Sequence, residues 1–221
     1  MKKTIALLLA TAGFTAAAST DPMNITWNDN KATLSESMNA ISVVFTLDLE
    51  KVGTYRPLYD TVITSLFEWN GSDEYGSTKG GVEHYFLDDP GFSYYNDIEG
   101  FHNNSGFGYK GIDGFTEAIV GYTYGLNQKA KFYLTLIDAQ GKAVEYALAG
   151  EGGKQRTQLT INELTKHSAI GEIEVYDSVL SAGDIASAMT NIAAAPAVPE
   201  PTTATLSLLA LAGLAARRRR R

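Results

Sequence analysis

The sequence contains no cysteine. No disulfide can therefore brace the fold, and its stability must come from a packed core or from bound ions. Histidine is nearly as scarce: His84, His102 and His167 are the only three, and they lie far apart. None sits in an H-E-x-x-H motif, and no second histidine follows at helical spacing, so the zinc-hydrolase pattern is missing. G-x-S-x-G and P-loop patterns are missing as well. Gly150-Glu151-Gly152-Gly153-Lys154-Gln155 lacks the P-loop spacing. Basic residues are sparse in the body of the chain. Setting aside Lys2, Lys3 and Arg217–Arg221 leaves 11 of the 18 basic residues, and setting aside Glu200 leaves 24 of the 25 acidic ones. The body thus carries about −13, against −7 for the whole chain. A surface so acidic argues against nucleic acid as a partner and against anionic membrane surfaces.

What is present begins with the two ends. Lys2-Lys3, the apolar stretch Ile5–Ala12 with Phe14 beyond it, and Ala16-Ala17-Ala18 before Ser19 form a secretory signal peptide over 1–18. The other end reads Val198-Pro199-Glu200-Pro201, then 15 uncharged residues (Thr202–Ala216), then five arginines. Lysines and arginines stay on the cytoplasmic side, so Ser19 to Pro199 is expected outside the inner membrane. As a helix, 15 residues span roughly 22 Å, less than the ~30 Å hydrocarbon core. A short transmembrane helix over 202–216 is expected to enter the inner membrane transiently, with the arginines reaching back to the headgroups.

The order of polar motif, short apolar segment and cationic stop over 198–221 resembles the PEP-CTERM sorting signal of Gram-negative bacteria. The resemblance implies an exosortase-type partner that reads Pro199, Glu200 and Pro201. It also implies an address in the cell envelope, on the outer surface or in the extracellular matrix, and loss of the tail on processing.

Between the ends the chain reads as β-rich. Asn39–Leu49 alternates, with Ile41, Val43, Phe45, Leu47 and Leu49 on one side, the period of a half-buried strand. Thr61–Trp69, Gly81–Leu87, Phe115–Tyr124 and Ile170–Tyr176 read likewise. Lys131–Ile137 and Ala143–Leu148 flank Asp138-Ala139-Gln140-Gly141, a hairpin signal. Asn70-Gly71-Ser72-Asp73 and Asp88-Asp89-Pro90-Gly91 read as turns. Ser181 with Asp184 three residues on predicts a helix N-terminus, followed by the apolar stripe Ile185, Ala188, Met189, Ile192. These elements predict an all-β, two-sheet antiparallel sandwich over 19–192 with a short helix at its end. A linker over 193–198 and the sorting signal over 199–221 follow.

Ile170-Gly171-Glu172-Ile173-Glu174-Val175-Tyr176-Asp177 running into Leu180-Ser181 and Asp184-Ile185 resembles the closing motif of LamG-like, concanavalin A-like domains. That resemblance implies a jelly roll, often a carbohydrate-binding or adhesive module. The same jelly roll hosts laminarinase-type glycoside hydrolases, whose strand pattern is E-x-D-x-x-E. Here Glu172, Glu174 and Asp177 give E-x-E-x-x-D. Residues two apart on a strand lie about 6.5–7 Å apart, near the ~5–5.5 Å that a retaining carboxylate pair requires. The last two acids are exchanged relative to the pattern, and the expectation is a chain that is not an enzyme. A purely structural envelope protein is a further alternative. The stretch His84–Tyr109 interleaves eight aromatics with Asp88, Asp89, Asp97, Glu99 and Asn103-Asn104. Aromatic faces with a few placed polar groups suit a glycan, which selects Tyr94, Tyr95, Asp97 and Asn103 as candidate contacts. Loop carboxylates of this kind can also hold Ca²⁺. Trp27 and Trp69 are expected in the core.

Overall fold

The computed structural model describes residues 21–52, 62–86, 91–97, 105–107 and 114–194. In chain order the elements are β1 (Lys31–Met38), β2 (Ala40–Asp48), the single turn α1 (Leu49–Val52), β3 (Val62–Asp73), β4 (Gly76–Phe86), β5 (Gly91–Asp97), β6 (Ser105–Phe107), β7 (Phe115–Gly125), β8 (Ala130–Asp138), β9 (Ala143–Gly152), β10 (Leu159–Lys166), β11 (Ile170–Tyr176) and α2 (Ala182–Ala194). The strands form two antiparallel sheets, ordered β1-β10-β3-β4-β5-β6 and β11-β2-β7-β8-β9. The protein is an all-β, two-sheet antiparallel sandwich with a short helix after its last strand.

One parity of β2 (Ile41, Val43, Phe45 and Leu47) faces the other sheet and is buried with Leu66, Phe67, Trp69, Tyr122, Phe132 and Leu134. Trp69 stacks on Tyr124 with centroids 5.5 Å apart, and its indole N–H donates to Tyr122 Oη at 3.1 Å. The hydrogen bond satisfies a polar group that would otherwise be costly to bury. Trp27 is partly buried against the same core, with Lys166 Nζ 5.1 Å from its ring centroid.

The opposite parity of β2 is not solvated. Val44, Ile119 and Tyr133 are covered by Ile185, Ala188, Met189 and Ile192 of α2. Gly121 of β7 makes this seat possible, since a Cβ there would lie 3.1 Å from Ile185 Cγ2 and 3.3 Å from Met189 Sδ. Ser42 ties the approach to the helix down: its hydroxyl donates to Ser178 O at 2.6 Å and accepts from Leu180 N at 2.9 Å. The cap expected at Ser181 is present. Its hydroxyl accepts from Asp184 N at 3.2 Å and donates to Asp184 Oδ2 at 2.6 Å. Ser181→Ala should cost about 1 kcal/mol, read as a melting temperature a few degrees lower. An unchanged melt would show that α2 holds by packing alone.

Three expectations need correction. β3 runs through Asn70-Gly71-Ser72-Asp73, and the turn falls at Glu74-Tyr75. Simple alternation also fails inside β3. Ser65 pairs with Glu83 and Phe67 with Val82, so Leu66 is a bulge residue. Leu66, Phe67 and Trp69 are therefore all buried, while Ser65 is exposed. Finally, the transmembrane helix is not found: among the described residues no helix is long and apolar enough to cross a membrane. α2, the longest described helix, has 13 residues, or about 20 Å, and one face is committed to the sheet. Residues 202–216 lie outside the described residues, as do the signal peptide and Pro199, Glu200 and Pro201.

Candidate functional site

The outward face of the six-stranded sheet over β3, β4 and β5 carries a polar strip. Paired residues in an antiparallel ladder share a face, so the register defines rows across it. One row is Asn70, Lys79 and Asp97; the next is Glu68, Gly81 and Tyr95; the next is Ser65, Glu83 and Ser93. Lys79 Nζ lies 3.0 Å from Glu68 Oε2, and Asn70 Nδ2 donates to Glu68 Oε1 at 3.2 Å. Glu68 is thus held from both sides. Gly81 sits in the middle of the strip because the Leu66 bulge presses β3 onto β4. A Cβ at Gly81 would lie 1.9 Å from Phe67 O, and φ there is +154°. The strip accordingly has no side chain at its centre.

Glu83 is only 4% exposed. Burial pushes its carboxyl up to about 7; the Lys79 charge works against this and the Glu68 charge adds to it. Near neutral pH Glu83 is about half protonated and can donate or accept a hydrogen bond. The accessible polar groups of the strip are Lys79, Glu68 and Asn70, with the buried Glu83 carboxyl beside them. Sequence reading did not single out Glu68, Lys79 or Glu83. They come from two strands, and only the bulged register brings them together.

The register separates the two tyrosines selected from the sequence. Tyr95 lies opposite Gly81 in the polar strip, whereas Tyr94 lies opposite Val82, in the row of Phe67. Val82 and Phe67 are both core residues, so adjacent positions on β5 serve opposite faces. Asp97 lies opposite Lys79. Asn103 lies outside the described residues, as do Asp88, Asp89 and Glu99, the other acids considered for Ca²⁺. Among the described residues no group of three or more His, Asp or Glu is placed to hold a metal ion.

The closing-strand acids are dispersed. β11 is an edge strand, and its pairing with β2 shifts between Ile170 and Ile173, so Glu172 falls in an interrupted part of the ladder. Glu172 N donates to Thr46 Oγ1 at 3.0 Å, and its side chain is exposed. Glu174 Oε2 accepts from Tyr176 Oη at 2.6 Å. Burial raises the Tyr176 phenol, and the Glu174 hydrogen bond and charge raise it further. Asp177 lines a separate cleft of about 420 Å³ at the rim of the sandwich with Glu36, Ser37 and Asn39, above Met23, Met38 and Leu159. Glu172 and Glu174 do not line it. His167 has a local role, its Nδ1 accepting from Ala169 N at 3.1 Å.

No curated relative matches the chain by sequence. Among solved structures, a receptor-binding domain is 14% identical with a TM-score of 0.40, over 73% of this chain and 39% of that one. The binding domain of botulinum neurotoxin DC in complex with SialylT is 12% identical with a TM-score of 0.35, over 77% of this chain and 45% of that one. This chain therefore spans less than half of either. Scytalido-glutamic peptidase with a transition-state analogue inhibitor is 12% identical with a TM-score of 0.22, over 69% of this chain and 86% of that one. The sequence comparison that succeeds concerns the C-terminal end. Residues 197–221 match the PEP-CTERM protein-sorting motif, so the chain is an exported β-sandwich that carries the signal of an exosortase-type sorting system and is addressed to the bacterial cell envelope or its outer surface.

Proposed function

We propose that this protein is a non-catalytic module that binds or scaffolds polysaccharide at the bacterial surface, using the outward face of β3, β4 and β5. The observation that supports the reading is the ladder register, in which positions 95 and 97 pair with Gly81 and Lys79, next to the braced Glu68 and the buried Glu83. Hydroxyl-rich chains are recognised by an apolar platform with a few oriented polar groups. The strip supplies a cation, carboxylates and a carboxamide, around a position with no side chain. The sorting motif supports the same reading, because it puts the domain where surface polymers are.

The test uses the purified chain from Ser19 onward and a panel of polysaccharides, scoring retention against release of reducing ends. Retention without release is expected. Tyr95→Ala and Lys79→Ala should each weaken it about tenfold, whereas Glu172→Gln should leave it unchanged. Reducing-end release abolished by Glu172→Gln would make the protein a glycoside hydrolase instead. No retention on any polysaccharide would leave a structural envelope protein.

A further inference from the structure

The tip of the β3–β4 hairpin is held more firmly than a two-residue turn requires. Tyr75 N donates to Asp73 Oδ1 at 2.8 Å. The other oxygen of Asp73 lies 2.6 Å from Arg156 Nε, with both side chains out of solvent. Glu74 takes Thr157 N on one carboxylate oxygen and Gln158 N on the other, each at 3.2 Å. Some loss of solvent pushes the Glu74 carboxyl up. The backbone N–H groups of Glu74, Gln158 and Thr157 and the Arg156 charge outweigh it and hold the group below the usual range. The tip is thereby fastened to the segment leading into β10.

What this anchorage presents is an aromatic ring. Tyr75 is 73% exposed, and among the described residues it is the large apolar side chain left in solvent. The Arg156 guanidinium carbon sits 5.3 Å from its ring centroid, a cation–π distance. One face of the ring is backed by a buried cation and the remainder is open. Loop tips are normally mobile; here the turn beneath the ring is fastened and a guanidinium backs one face of it, which lowers a cost of binding.

The surroundings indicate the ligand. Ser72 and Ser77, paired across the hairpin just inside the tip, are exposed, as is Gly76. Among the described residues no other exposed large apolar side chain extends the ring into a patch, and a stable protein interface needs roughly 800 Å² per partner. One exposed ring bordered by hydroxyls and a carboxylate matches a molecule with one apolar face and a polar rim.

We propose that Tyr75 is a stacking platform for a pyranose ring, a saccharide contact separate from the β3–β5 strip. This rests on the reading that the chain binds polysaccharide, and it names a residue of that binding that the sequence did not suggest. The experiment is affinity electrophoresis of the purified chain from Ser19 onward through gels containing laminarin, xylan, mannan or dextran. Tyr75→Ala should weaken retention by the retarding polysaccharide about tenfold, and Tyr75→Phe by less than about threefold, because the ring and not the hydroxyl makes the contact. Thermal melts should show Tyr75→Ala folded like the parent. If Tyr75→Ala is retarded like the parent while Tyr95→Ala is not, the platform is refuted and the binding reading stands. If Tyr75→Ala alone loses retention, the platform holds and the strip is the wrong site. A parent chain retarded by none of the four overturns both.

Discussion

Replacing Glu83 by glutamine is expected to stabilise the folded chain at pH 8 and to do almost nothing at pH 4. The folded carboxyl titrates at about 7, against 4.5 for an unburied one. Below pH 4.5 the folded and unfolded chains both hold the proton, and the group contributes no pH dependence. As pH rises from 4.5 to 7 the unfolded chain releases its proton while the folded chain keeps it, so unfolding becomes progressively easier. Above 7 the folded chain must carry a desolvated charge and the penalty is complete. One pKa unit corresponds to about 1.4 kcal/mol. With allowance for solvent screening, the gain from Glu83→Gln at pH 8 is about 2–3 kcal/mol. For a domain of this size that is a rise of roughly 5–10 °C in melting temperature. Melts of both proteins at pH 4 and pH 8 decide it. An equal difference at the two values, or none at either, would mean that Glu83 is solvated.

A carboxyl perturbed by burial beside charged neighbours is of the kind enriched at functional sites. Glu83 belongs to the strip that the register assembles from Glu68, Lys79 and Gly81, so the stability measurement also bears on the proposed binding surface. If Glu83→Gln stabilises the chain while weakening retention by polysaccharide, the same carboxyl accounts for both.

Much of the fold was legible because its signals are local. β2 announces itself by alternation, and α2 by a capping serine and an apolar stripe. The β8–β9 turn is declared by Asp138, whose Oδ1 accepts from Gln140 N and Lys142 N. What escaped was non-local. β10 has a pairing shift between Ile161 and Glu163, so Ile161 and Leu164 are both buried at a spacing of three, which destroys the period-2 signal. β1 buries only Ala32 and Met38 fully and looks like a polar loop. Leu66 is one inserted residue, and nothing in Ser65-Leu66-Phe67 says that two neighbours point inward. The site suffered from the same blindness. Tyr94 and Tyr95 were legible as an aromatic pair, but a pair on one strand is divided between two faces. Glu68, Lys79 and Glu83 have no common sequence motif, and Tyr75 is distinguished only by what holds it.

Arg156→Met should be the most damaging single change considered, at about 3–5 kcal/mol. Arg156 and Asp73 retain 4% and 0% side-chain exposure, with Nε 2.6 Å from Oδ2. Removing the guanidinium leaves the Asp73 carboxylate in a dry site, where an uncompensated charge is far costlier than the pair was favourable. The melting temperature should fall by roughly 10 °C or more. Adding Asp73→Asn removes that charge, so the double variant should be more stable than Arg156→Met alone, with a coupling of at least about 2 kcal/mol. Additive losses, or a single loss under about 1 kcal/mol, would mean that water reaches the pair in solution. The same substitution also tests what the pair is for. With Arg156 gone, Tyr75 loses the cation behind its ring and the anchor beneath its turn. Tyr75→Ala leaves stability alone and Arg156→Met does not, so a loss of polysaccharide retention common to both, measured well below either melting transition, would assign the loss to the tip and not to unfolding.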